Sequence, residues 1–225
     1  MTEPEKLAKL QQHTKEIYEI MLLAQSSFKI VDYMYRTRDD IAGEVINQNQ
    51  YLKYSRHINW RLYVTELAKL FANRESDWFN VNRLITKFKK GGEFEKVTVI
   101  DETTVAAWER DLASEKAIID NLLDQRDKLF GHTDKNRAHI KNELSIKDAR
   151  TLIDIVKRIV SEIYVAVLDA PIDLDPFGEP VDDLKKLMEV QVFEKKKLIN
   201  FWIAHCEEHK IDPASMGLPA KAFDL

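Results

Sequence analysis

The chain has 225 residues, 44% hydrophobic and 32% charged, with a formal net charge of −4 and a pI near 5.9, so it can bury the core of one substantial domain plus an extension. The acidic balance argues against strong non-specific nucleic-acid binding but leaves room for a local basic site. A single cysteine, Cys206, excludes an internal disulfide, and neither a membrane-length apolar run nor a basic-then-apolar start at Met1-Thr2-Glu3-Pro4-Glu5 is present, so a cytoplasmic protein with no membrane partner is expected.

Only six glycines and six prolines occur, which favours long helices over a turn-rich β architecture. Thr2 with Glu5, and Pro4 in the first turn, mark a helix start; Leu10, Ile17, Met21 and Ala24 carry it forward, with a bend near Ser26-Ser27, to Tyr35. A polar stretch from Asn47 to Gln50 separates it from a second helix carrying Ile58, Leu62, Val64, Leu67, Leu70 and Phe71. Asn73 to Asp77 reads as a turn. Asn80 then caps a short helix with Val81, Leu84, Ile85 and Phe88, stopped by Gly91-Gly92. Phe94 to Ile100 alternates as a short strand or extended loop would. Thr103 or Thr104 is the expected cap of a long helix ending near Phe130, with Gly131 as its stop. Ser145 and Asp148 have capping-box spacing before a helix through Leu152, Val156, Ile159, Ile163 and Val167.

Pro171, Pro176, Gly178 and Pro180 cluster where the preceding chain has no proline back to Pro4, and mark the clearest boundary. Beyond it, Val181 to Cys206 predicts one more amphipathic helix, with Phe201 and Trp202 packing onto the bundle. The expected organisation is an all-α bundle of four to five helices over residues 1–170, followed over 171–225 by a hinge, an additional helix and a tail.

Within the long helix, Trp108, Leu112, Ile119, Leu122 and Leu123 recur at steps of three and four, and the stripe resumes at Leu129 and Phe130. Arg126 therefore falls in register with the buried face. A guanidinium keeps its proton, so it must meet an anion or reach water. His132, six residues on, is the side chain best suited to proton transfer near neutral pH. Taken alone, the pair has an ordinary reading: Arg126 snorkels or pairs with Asp124 or Asp127, and His132 caps a helix end.

The order of features from Ile58 to Tyr164 resembles the U-type abortive-infection branch of the HEPN-like superfamily of all-α domains. Three segments carry the likeness: Leu67-Ala68-Lys69-Leu70-Phe71-Ala72-Asn73, Val81-Asn82-Arg83-Leu84-Ile85, and Arg126-Asp127-Lys128-Leu129-Phe130-Gly131-His132-Thr133-Asp134. The last is similar to that superfamily's motif of Arg, a polar residue, a spacer and His. The resemblance spans residues 10 to 170. Many members are metal-independent endoribonucleases, some of them toxins or antiviral effectors; others are inactive scaffolds. Some toxins carry a tyrosine two residues after the histidine that a partner enzyme modifies. Asp134 stands there in this chain, so the resemblance does not extend to that regulation.

The resemblance implies an RNA substrate, no cofactor, a homodimer in which two motifs face one groove, and an antitoxin or defence-system partner protein. It assigns catalysis to Arg126 and His132, with Asp127 orienting one of them. Chemically, RNA supplies its own 2′-hydroxyl nucleophile, so His132 as acid or base and Arg126 on the phosphate would suffice without a metal. Six helical steps rise about 9 Å and turn the two side chains about 120° apart, so an unbroken helix cannot aim both at one phosphate. Either Gly131 ends the helix and lets His132 fold back, or a two-fold dimer completes the site. Lys128, Lys135 and Arg137 are the candidate RNA contacts, with His139 and Lys141 beside them and Lys87, Lys89 and Lys90 as further basic residues.

His205 and His209 share a helical face, but Glu does not directly follow the first histidine and no third ligand is evident, so surface roles and no metal are expected. The competing reading of the whole chain is a non-catalytic helical interaction module. Nucleotide binding without cleavage is disfavoured, because no phosphate-binding glycine loop is present.

Overall fold

The computed structural model describes residues 2–35, 41–72, 77–131, 144–169, 171–175 and 180–224. The fold is all-α, with no strand among the described residues. Eight α-helices follow in order: α1 (Glu3–Tyr35), α2 (Ile41–Gln48), α3 (Gln50–Phe71), α4 (Val81–Phe88), α5 (Glu102–Ser114), α6 (Lys116–Gln125), α7 (Ile146–Leu168) and α8 (Pro180–Glu208). Among the described residues no helix is long and apolar enough to cross a membrane. Contacts divide the chain into two compact units, Met1–Lys29 with Ile58–Gly178, and Ile30–His57 with Glu179–Leu225. A linear boundary at Pro171 does not describe this grouping, because Ile30–His57 gathers with the C-terminal segment.

The first unit is built on the stripes anticipated from spacing. Leu10, Ile17, Met21, Ala24 and Phe28 of α1 are buried, as are Val64, Leu67, Leu70 and Phe71 of α3 and Leu152, Val156, Ile159, Val160 and Ile163 of α7. The α4 cap is as expected: the Asn80 side chain accepts from the Arg83 N–H at 2.9 Å. Ser145 and Asp148 form the complete reciprocal box before α7, with bonds of 3.1 and 3.0 Å. The start of α5 differs. Its cap is Asp101, whose carboxylate accepts from the Thr104 N–H at 2.7 Å and from the Thr103 hydroxyl at 2.9 Å, so both threonines act as donors to the true cap. The expected single long helix is also interrupted. The Ser114 hydroxyl donates to the Asp111 carbonyl at 2.8 Å, and Glu115 takes φ −99°, ψ 14°, which closes α5 before α6 begins.

Residues 94 to 100 are a series of turns, not a strand. The Phe94 N–H donates to the Lys87 carbonyl at 2.7 Å and the Val97 N–H to the Phe94 carbonyl at 3.1 Å, so local bonds take the donors that a ladder would need. Val99 is 86% exposed, so the alternation buries nothing there. Phe94 itself is fully buried and meets Phe88 edge to face, and Phe88 in turn meets Trp108. The segment at 171–175 is tied to α1: the Tyr18 hydroxyl donates to the Asp173 carbonyl at 2.5 Å, and Lys29 pairs with Asp175.

In the second unit, Tyr33, Met34, Val45, Ile46 and Leu52 pack with Val181 and Met188 of α8. Helix α2 has no counterpart in the sequence reading. Eight residues with a buried Gly43 are too short to stand alone, and their apolar side finds its cover on α8, far along the chain. Helix α3 begins at Gln50, where the polar stretch ends, with Tyr51 and Tyr54 exposed in its opening turns and Leu52 buried. Phe201 and Trp202 are likewise exposed, with Phe201 at 63%, where packing onto the bundle was expected.

The turn after α4 rests on its two glycines. Gly91 has φ +79°, whereas a Cβ on Gly92 would stand 2.4 Å from the Lys87 carbonyl oxygen and 2.8 Å from that of Lys89. Gly91→Ala should cost about 1 kcal/mol through backbone strain. Gly92→Ala should cost about 2 kcal/mol or more, because the fixed carbonyls cannot retreat. Urea denaturation of the two variants checks the order.

Candidate active site

The site anticipated around Arg126 sits where α6 changes its winding. Arg126 to Gly131 form a π-helical turn in place of a continued α-helix. The Arg126 N–H is shared between the Leu122 and Leu123 carbonyls at the junction. A π turn bonds each N–H one residue further back than an α-helix, so it shifts the register of everything after Arg126. The α-helical 3.6-residue spacing therefore does not hold within Arg126–Gly131, and Gly131 ends a π turn, not an α-helix.

Upstream the α register holds. Leu122 and Gln125 are buried, and the Arg126 side chain is only 14% exposed. Its Nε donates to Asp127 Oδ1 at 2.7 Å, a pairing between adjacent residues that side chains on a regular α-helix do not face each other to make. Lys128 reaches back one turn to Asp124 at 2.5 Å and remains partly exposed. Of the expected site residues, the structure thus describes Arg126, Asp127 and Lys128 together at the end of α6. His132, Lys135 and Arg137 lie outside the described residues, as do Asp134, His139 and Lys141.

Two of the additional basic candidates are engaged elsewhere. Lys89 pairs with Glu109. Lys87 contacts Glu93 at 3.2 Å and His13 Nε2 at 3.1 Å. That second cluster was missed in the sequence. His13 occupies the seam step between Leu10 and Ile17, where an apolar residue is the ordinary occupant, and that misfit is the signal that would have found it. It is 4% exposed and lies edge-on to Phe79 and Phe94. Burial, then the Lys87 and Lys9 ammonium groups, lower its pKa from 6.5 to about 4, with Arg83 adding to this and Glu93 opposing it. Burial would raise the Glu93 carboxyl, but hydrogen bonds from Lys9 at 2.5 Å and from Lys87 hold it below its usual range. His13 is thus a neutral acceptor at pH 7, bonded by Lys87.

The unfolded imidazole binds its proton below about pH 6.5, and the folded one only near 4. The cost is therefore absent above pH 6.5 and grows as pH falls through that window. Stability should drop by on the order of 2 kcal/mol between about pH 7 and pH 5, and His13→Gln should flatten the slope. Chemical denaturation at the two pH values measures both.

No curated protein and no solved structure matches the chain. One family model does, described as HEPN_AbiU2 (AbiU2), over residues 7–187, a span that contains the α6 end and runs on into α8. The chain with the all-α bundle and the Arg126-Asp127 turn belongs to this AbiU2 family of HEPN abortive-infection proteins.

Proposed function

We propose that this protein is a metal-independent endoribonuclease acting in antiviral abortive infection or as a toxin component, working as a homodimer on RNA in the cytoplasm. The observation that carries the reading is the state of Arg126: a permanent cation, largely buried, held by its Nε edge on Asp127, in a π turn leading directly to His132. Pairing through Nε presents the Nη edge of the guanidinium as the one to meet a phosphate. Asp127 in this scheme is a positioning residue for Arg126.

The chemistry balances without an added reagent. The ribose 2′-oxygen attacks the adjacent phosphorus and loses its proton to a base. The bond from phosphorus to the 5′-oxygen breaks, and that oxygen takes up a proton. His132 serves as base or acid, and Arg126 stabilises the charge that grows on the non-bridging oxygens. A two-fold dimer supplies a second His132 and Arg126 to the same groove. Products are a 2′,3′-cyclic phosphate and a 5′-hydroxyl. Lys128, Lys135 and Arg137 would hold the backbone, with affinity that falls steeply with salt. An antitoxin or another defence protein is the expected regulator.

A non-catalytic interaction module is the second reading. It is favoured by the same Arg126–Asp127 pair, which satisfies the cation internally, and by the exposed apolar residues Leu187, Val190, Leu198 and Phe201 of α8.

The discriminating assay is purified protein with RNA in EDTA. Cleavage should persist, yield 3′ ends that resist adaptor ligation until the terminal phosphate is removed, and fall by about a hundredfold or more in Arg126→Ala and His132→Ala. Asp127→Asn should lower turnover while leaving RNA binding intact. Cleavage that survives both alanine variants, or that EDTA abolishes, rejects this metal-independent mechanism, and the absence of any cleavage favours the interaction module.

A further inference from the structure

Outside the α6 site, one cluster of ligating side chains stands apart. His205 and Glu208 lie in the last turn of α8 and His209 directly follows it, and one ligand atom from each lies within 4.8 Å of the other two. We propose that these three side chains bind a single divalent transition ion of the zinc class, which pins the C-terminal turn of α8. The proposal concerns the compact unit that does not contain Arg126, and it is independent of the nuclease reading.

The helix backbone sets the arrangement. Positions i, i+3 and i+4 project over one turn, so Glu208 and His209 flank His205 on the same face. The order His-x-x-Glu-His supplies the third ligand that the spacing of the two histidines alone did not reveal. Tetrahedral bonds of about 2.1 Å place ligand atoms about 3.4 Å apart, so side-chain rotations of an ångström or so close the site around an ion. The two imidazoles are already neighbours, with ring centroids 4.3 Å apart. His205 is half-buried and lies edge-on against Trp202, which limits its rotation.

The donor set selects the ion. Two imidazoles and one carboxylate suit zinc, copper or nickel, whereas calcium and magnesium prefer all-oxygen sites. The carbonyl end of a 29-residue helix adds partial negative charge at the same place. Ile203 and Cys206 are buried and anchor the turn from its other side. The Cys206 sulfur lies 3.5 Å from that of Met216, so the thiol belongs to the packing and not to the ligand set. Some zinc peptidases use the same His-x-x-Glu-His order with the glutamate as base. Here Glu208 and His209 are exposed, which suits ion capture with water in the fourth position.

Zinc sulfate titrated into the full chain, in competition with a chromophoric chelator of micromolar affinity, should show one ion bound per chain. His205→Asn and His209→Asn should each weaken binding by about tenfold or more. Cys206→Ser should leave it unchanged, and excess magnesium or calcium should not displace the ion. In the unmutated chain, zinc should shift the ring protons of His205 and His209 and leave those of His57 in place, a readout that needs no variant to fold. The proposal is overturned by absence of stoichiometric binding, by a loss below tenfold in both the His205→Asn and the His209→Asn variants, by displacement by magnesium, or by ring shifts at other histidines only.

Discussion

A guanidinium that cannot discharge has been placed where α6 buries its apolar side, and the local structure answers that constraint. Arg126 is too enclosed to be satisfied by bulk water, so it requires an anion within reach. Asp127 meets the requirement as an immediate neighbour, within the π turn that begins at Arg126. The pair also fixes which edge of Arg126 is occupied.

The first unit contains a second answer to the same problem. His13 sits in a seam that favours no charge, and it responds by giving up its proton, an option that Arg126 lacks. Its neighbour Lys87 pairs with Glu93 and donates to the imidazole. Two polar intrusions into one bundle are thus stabilised by opposite means: neutralisation for the titratable group and pairing for the permanent cation.

Much of the fold was legible because its determinants are local. The Asn80 cap and the Ser145–Asp148 box require only residues three apart, and the stripes of α1, α3 and α7 require only regular spacing. The features that escaped depend on distant partners or on competition between nearby hydroxyls. Helix α2 needs Val181 and Met188, which lie more than a hundred residues away. The break at Ser114 comes from one side chain bonding back to Asp111, and the α5 cap fell to Asp101 because both threonines serve it as donors. At the candidate site, the enclosure of Arg126 follows from the 3.6-residue stripe, but the π turn does not, since no periodicity announces an extra residue per turn. Glu208 was not weighed as a candidate ligand because the familiar zinc pattern places its glutamate next to the first histidine.

The dependence of α2 on α8 bears on how the chain can be shortened. Pro171 to Pro180 looks like a safe place to cut, yet a protein ending there would leave Tyr33, Val45, Ile46 and Leu52 without the side chains that cover them. Such a fragment would present a sticky, greasy surface to its neighbours and should associate or be degraded, so trimming by a protease at the proline cluster would amount to disposal of the molecule and not to release of a working core.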